Sequence, residues 1–405
     1  MFHDILIIGG GASGLAAAVV CKDMGKDAAI IEGTERIGRK LLTTGNGRCN
    51  ISNRNILISR YHGADSDFPK YALENFNYNE TNNFFSLLGL PLVTLEDDKV
   101  FPLSLQASSV LDVFRMALEE RDIPLYNNSK VKSIIKIKNG FKVLTAENTF
   151  QCRKLILCCG GKSYASTGSD GSGYKIAKEL GHNIITPFPA LVQLKLKHGS
   201  LKALSGIKFN GTAKIDSKME YGEILFTDYG ISGPPIIQLS RIAAKSLSMG
   251  EDPYIEVDMM PQMSTLELKD FIENHFGIFY YRSVFNSMIG IINKKLIPIL
   301  LKEAGITDIH KECGALTKNE KISLIGLMKC WKFKIYDTNS FSNAQVTAGG
   351  IDTKEVSNET LQSKLFPNLY FAGEILDVDG DCGGFNLQWA WASAYIAAKN
   401  ASAGD

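Results

Sequence analysis

The chain has no uninterrupted apolar run near the ~20 residues that a bilayer-spanning helix requires. Ile5 to Ile8 stops in glycines, and Ile289 to Leu301 is broken by Asn293, Lys294, Lys295 and Pro298. No membrane-spanning helix is expected and nothing reads as a secretory signal, so the cytoplasm is the expected compartment. An excess of one charge is also missing, because 44 Lys and Arg stand against 43 Asp and Glu, for a formal charge of +1. No summed field draws in a nucleic acid or an anionic membrane; neither partner is expected, although a local basic patch is compatible with this balance. The eight cysteines include no Cys-x-x-Cys pair, which argues against the usual zinc spacings and favours reduced thiols. Repeats and low-complexity tracts are absent.

What is present is an ordinary globular composition, 45% hydrophobic and 21% charged, in 405 residues, enough for two or three domains. Ile5-Leu6-Ile7-Ile8 reads as a buried parallel strand, Leu15 to Met24 as a helix ending at Gly25, and Ala28 to Glu32 as a second strand. Helical spacing is also expected over 71–88 and 107–121. Asn139-Gly140 joins a hairpin of 131–137 and 141–146, and Leu155 to Cys158 returns to the sheet. After about residue 190 short strands suggest a small β-barrel or sandwich, and from Ser264 to Lys329 the helical period dominates, opening with the capping-box pair Ser264 and Glu267. The last strand, Leu369 to Ala372, precedes a final helix near 387–399.

Between the first strand and helix lies Gly9-x-Gly11-x-x-Gly14, with Ala12 and Ser13 inside it. Gly9 permits the tight turn, Gly11 lets backbone approach a pyrophosphate, and Gly14 lets the helix pack on the strand, so the phosphates meet the positive helix end. Glu32, at the end of the second strand, is placed to accept from both ribose hydroxyls and to repel a 2′-phosphate. FAD and NAD share this fingerprint. A second copy after a strand is missing, so a nicotinamide has no dedicated domain here.

Three further glycine-rich segments are Arg36 to Asn50, Gly160 to Tyr174 and Gly373 to Trp389, and a fourth distinctive one is Glu223 to Pro235. Over nearly the whole chain they resemble a family of bacterial flavoproteins that includes a bile-acid dehydro-steroid reductase and aminoacetone oxidase. The resemblance implies an α/β FAD-binding Rossmann-like domain of the glutathione-reductase and fumarate-reductase type, interrupted by a β-barrel domain and a small helical domain. It assigns 1–190 and 346–405 to the FAD domain, 191–262 and 331–345 to the barrel, and 263–330 to the helical insert. It also places Arg39, Lys40, Asn46, Gly47, Arg48 and Cys49 along FAD, the backbone of Val131 at the adenine, and Gly161 after the returning strand. Gly373, Glu374 and Asp377 are expected at the ribityl chain and phosphates. Asp377, Asp379 and Asp381 leave open a solvated acidic loop or a cation site; the neighbouring glycines and the resemblance favour flavin, and no metal is expected.

If Asn386, Leu387 and Gln388 form the first turn of the final helix, their N–H groups face the flavin edge where charge accumulates on reduction. A proton donor is not identified by the sequence; Tyr164, Asp228, Tyr229 and Arg48 are the candidates. Relatives often carry histidine at the Asp228 position, which puts a shared imidazole mechanism in doubt. The leading expectation is an NADH- or NADPH-using reductase of an activated C=C bond in a small molecule, of steroid or bile-acid enone type. An amine oxidase using dioxygen and a flavoprotein with a mainly binding role stay open.

Overall fold

The computed structural model describes residues 1–404, in two compact units: Met1–Phe188 with Ala344 onward, and Pro189–Asn343. The first unit is built on a seven-stranded sheet. Its strands are β1 (Phe2–Ile8), β2 (Ala28–Ile31), β3 (Leu125–Tyr126), β4 (Ser133–Ile137), β5 (Gly140–Leu144), β6 (Thr149–Leu157) and β7 (Leu369–Phe371), in the spatial order β3-β2-β1-β6-β5-β4, with β7 also paired to β6. β6 changes partner along its length. Residues 149–152 run antiparallel to β5, whereas 155–157 run parallel to β7, and the other edge of β6 is parallel to β1. Ile5 to Ile8 and all of β2 are buried, as continuous apolar runs covered on both faces should be.

The first helix, Ala12–Asp23, packs against the C-terminal helix, Phe385–Ser402. Both present alanines to the core, Ala16, Ala17 and Ala18 on one and Ala394, Ala397, Ala398 and Ala401 on the other. Small side chains let the two axes approach closely. The C-terminal helix is longer than the 387–399 expected, because apolar small residues continue its buried face to both ends.

The 71–88 segment departs from the expectation of one helix. It forms two, Lys70–Asn75 and Tyr78–Leu87, because Asn77 caps the second in a capping box with Glu80. The Asn139-Gly140 hairpin joins β4 and β5; Gly140 has φ +134°, and a Cβ there would stand 1.9 Å from the Cys152 carbonyl oxygen.

In the second unit six antiparallel strands close into a barrel, in the order Leu194–Lys197, Gly230–Ser232, Lys218–Phe226, Lys208–Ile215, Tyr254–Asp258 and Trp331–Thr338. The barrel and the helices between 265 and 329 share one hydrophobic core, which includes Phe226, Trp331 and Phe333 as well as Leu268, Ile272 and Phe276. The helical segment therefore has no core of its own. A helix over Pro234–Ser248 was not anticipated. Its signal was available: prolines at its first positions after Gly233, then Ile236, Leu239 and Ala243 at helical spacing. Among the described residues no helix is long and apolar enough to cross a membrane.

A buried histidine gives the first unit a pH limit. The His182 side chain is fully buried, with Nδ1 3.1 Å from Glu355 Oε2 and Nε2 3.0 Å from Ser363 Oγ. Burial dominates over the Glu355 charge and holds its pKa below the ordinary 6.5. The unfolded chain then takes up a proton that the folded one resists, so stability is complete above pH 6.5 and falls as the pH drops below it. Urea midpoints measured at pH 7.5 and 5.5 should fall in the wild type and fall less in His182→Gln; equal slopes would remove His182 from this role.

Candidate functional site

Parallel strands end on the same edge, and this edge carries a cleft of about 410 Å³. Gly9 to Ser13 follow β1, Glu32 follows β2, and Cys158, Cys159 and Gly160 follow β6; all line the cleft. Gly9, at φ +108°, has no room for a side chain, since a Cβ would lie 2.4 Å from the Cys158 carbonyl oxygen. Gly14 is equally constrained, its Cβ position being 1.8 Å from the Gly9 carbonyl oxygen, so it packs helix on strand and does not line the cleft. Gly11 is the opposite case: it lines the cleft and nothing stands within 4 Å of where its Cβ would be.

Glu32 is held by its neighbours. Oε2 accepts from the Gly10 N–H at 2.7 Å, and Oε1 accepts from the Thr34 N–H and hydroxyl, each at 2.7 Å. A carboxylate has about four acceptor sites, so this fixes its orientation with capacity left for a ligand hydroxyl. Of the cations lining the cleft, Lys40 bonds Glu374 at 2.6 Å and Lys130 bonds Asp170 at 2.5 Å. Arg36 and Arg39 have no carboxylate partner among the described residues. Burial raises the Asp170 pKa, but the bonds from Lys130 and Ser172 outweigh it and hold the carboxyl below its ordinary 3.8. The Cys159 thiol is pushed up to about 12, first by burial and then by Glu32 and Asp170, so it stays protonated at neutral pH.

The far wall comes from the other end of the chain. Glu374 Oε1 accepts from the Thr347 N–H at 2.7 Å, so its pair with Lys40 ties a residue near each terminus across the cleft. Asn386 and Leu387 line the cleft within the first turn of the C-terminal helix. The Asn386 side chain clamps the preceding loop, accepting from the Gly380 N–H at 2.8 Å and donating to the Gly380 carbonyl at 2.7 Å.

Several expected site residues fall elsewhere. Gln388 does not face the cleft: its N–H already donates to Gly384, and its fully buried side chain accepts from Ser52 (2.6 Å) and Thr81 (2.9 Å) and donates to the Phe76 carbonyl (2.7 Å). Phe385, Asn386 and Leu387, one residue earlier than expected, are the three helical residues that precede the first intrahelical donor. Asn46, Gly47 and Arg48 form an exposed turn outside the cleft lining, with the Arg48 guanidinium 4.9 Å from the centre of the Phe101 ring. Cys49 is fully buried, its thiol pushed up to about 12 by burial. Gly161 abuts Thr347 and Glu374, and Gly373 abuts Ser13, so both are packing positions.

Asp377, Asp379 and Asp381 are buried and do not form a solvated loop. Asp377 accepts from the Ala64 N–H at 2.8 Å, and Asp381 pairs with Arg60 (3.2 Å) and His62 (2.8 Å). The Asp377 and Asp381 carboxylates thus hold the 60–64 segment. Tyr164, at φ +59°, lies in the loop whose Ala165, Ser166 and Thr167 line the cleft. Asp228 and Tyr229 belong to the second unit; Asp228 is exposed and the Tyr229 hydroxyl accepts from Asn339 Nδ2 at 3.1 Å.

Ala12, Ser13, Arg39, Lys40, Val131 and Glu374 line the cleft with Gly9, Gly11, Glu32, Asn386 and Leu387. Sequence reasoning missed Arg36, Lys130 and Ser169. Ser169 is notable, because its buried Oγ has no hydrogen-bond partner in the protein although the residue lines the cleft. A glycine with free space, a helix N-terminus, two unpaired arginines, an anchored carboxylate and an orphaned hydroxyl together fit a dinucleotide.

The family described as HI0933-like protein Rossmann domain matches residues 3–400. The chain belongs to that family. It is 40% identical over 409 aligned residues to the 3-dehydro-bile acid delta(4,6)-reductase of Clostridium scindens, covering 99% of each chain. It is 30% identical to the ribosomal RNA dihydrouridine synthase of Haemophilus influenzae, again covering 99% of each. Among solved structures a quinol-fumarate reductase shares the fold, with TM-score 0.52, 13% identity, and 99% of this chain against 71% of that one.

Gly11 offers a direct test of the cleft. Its φ of −83° suits any residue, so Gly11→Val should fold while filling the open space where a pyrophosphate is expected. FAD affinity, read by absorbance near 450 nm and by calorimetry, should fall at least about a hundredfold, ~2.7 kcal/mol. A variant that stays as yellow as the wild type would move the cofactor elsewhere.

Proposed function

We propose that this oxidoreductase uses FAD, held in the cleft of the first unit, to reduce a carbon–carbon double bond conjugated to a carbonyl, with NADH or NADPH as the electron source. The observation that carries the reading is the cleft itself, closed by Lys40 and Glu374 from opposite ends of the chain. When bound, FAD supplies hydride transfer. The Gly9–Ser13 turn and the first helix receive the pyrophosphate, Arg36 and Arg39 neutralise it, and Glu32 takes a ribose hydroxyl. The N-terminus of the C-terminal helix favours negative charge at whatever ring edge lies against Asn386 and Leu387.

The double bond follows from the names of the two relatives. A delta(4,6)-reductase of a 3-oxo bile acid and a synthase of dihydrouridine both saturate a C=C bond in conjugation with a carbonyl, the one in a steroid and the other in a pyrimidine. The higher identity, 40%, favours the steroid-type enone. The 30% identity to the dihydrouridine synthase, over 99% of both chains, supports the uridine of an RNA as a second reading.

Anaerobic mixing of the FAD-loaded protein with NADH or NADPH should bleach the flavin within seconds, and either a 3-oxo-Δ4,6 steroid acid or a uridine-containing RNA should restore the colour. Peroxide release from an amine, with no bleaching by either nicotinamide, would replace the reductase by an oxidase.

A further inference from the structure

The helical part of the second unit carries a surface that the redox cleft does not use. Helix Thr265–Ile278 buries Leu268, Ile272 and Phe276, four residues apart, in the shared core. On another face Phe271 stacks with His275 (centroids 5.9 Å apart, planes at 22°), and His275 meets Phe279 at 4.9 Å. The ribbon continues without a break: the Arg282 guanidinium lies 4.1 Å over Phe279 and 5.8 Å from Tyr281, which meets Tyr280 at 5.7 Å. His275 Nε2 is 2.9 Å from the Ser287 carbonyl oxygen, so the middle of the ribbon is fixed.

These rings are open to solvent. Tyr280 is 62% exposed, Tyr281 57% and Phe271 37%. From Asn274 to Lys302 the sequence has Arg282, Lys294, Lys295 and Lys302 and not one Asp or Glu. Arg282, Lys294 and Lys295 are exposed and make no ion pair with a carboxylate among the described residues; Lys294 lies instead over the Phe285 ring at 6.0 Å. The charges within 274–302 are therefore all cationic, while the exposed acids Asp270, Glu273 and Glu312 stand at the borders of the ribbon. A duplex would need phosphates tracked along a groove, whereas exposed rings interleaved with cations suit bases that are already unstacked.

We propose that this ribbon holds an unpaired stretch of RNA, with bases on Tyr280, Tyr281 and Phe271 and phosphates at Arg282, Lys294 and Lys295. The choice of RNA over DNA rests on the uridine reading of the proposed function; the rings and cations alone specify a single strand.

The test uses the full-length, FAD-loaded protein and a fluorescein-labelled oligouridylate of about 12 nucleotides, a common single-strand site size. Anisotropy should report binding that weakens with salt. Tyr280→Ala/Tyr281→Ala should weaken it about tenfold or more, and Arg282→Ala should also lower the salt slope by about one. Melting temperature, bound FAD and bleaching by NADPH should be unchanged in both. No binding by the wild type, or equal binding by the variants, overturns the proposal, as does loss of a protein dimer or of another protein partner in the variants while RNA binding persists. Dihydrouridine formation on unmodified ribosomal RNA separates the two claims. Reduction by the wild type that the ribbon variants perform equally well overturns the ribbon and leaves the uridine reading standing. Ribbon-dependent RNA binding, with only the steroid-type enone reduced, sustains the ribbon as a single-strand surface and removes the uridine reading.

Discussion

The first unit depends on the parallel pairing of β1, β6 and β7. β6 is hydrogen-bonded to β1 on one side and, over residues 155–157, to β7 on the other. Because all three run the same way, the residues after them arrive at one edge: Gly9, then Gly160, then Gly373. Each of these glycines has a left-handed φ, +108°, +69° and +78° respectively, so each strand leaves the sheet by a turn that side chains with a Cβ rarely allow. Gly9, Gly160 and Glu374, the residue after Gly373, line the cleft with Glu32.

The position of the cleft was legible because its signals are local. A buried strand, three spaced glycines, a helix and an acid are read within the first 32 residues, and backbone chemistry dictates the rest. Gln388 was not legible in the same way. A glutamine in the first turns of a helix reads as available to a ligand, and only the long-range meeting with Ser52, Thr81 and Phe76 shows that all its polar atoms are committed. The buried aspartates are a similar case. Three acids among glycines look solvated until the 60–64 segment supplies Arg60, His62 and the Ala64 N–H. Sequence pattern specifies what the backbone must do; it is silent on which distant segment satisfies a side chain.

The second unit shows the limit of composition. Its strands were readable from short β runs, yet its division from the helices was expected where the core is continuous. Periodicity marks where a helix lies and which stripe is apolar, but it does not say against what that stripe packs. Helix Thr265–Ile278 has two apolar faces, and only the structure tells the covered one from the one carrying Phe271 and His275.

The Lys40–Glu374 bridge has a consequence for how the protein is made. Its two halves are separated by 334 residues, so the cleft is incomplete until the last strand and the C-terminal helix have left the ribosome. Synthesis runs at about 5–20 residues per second and earlier segments fold as they emerge. The β1 turn and first helix therefore wait, with only part of the cleft lining formed, until the whole second unit has been translated. The cleft is thus completed late in translation, after every strand of the barrel has emerged.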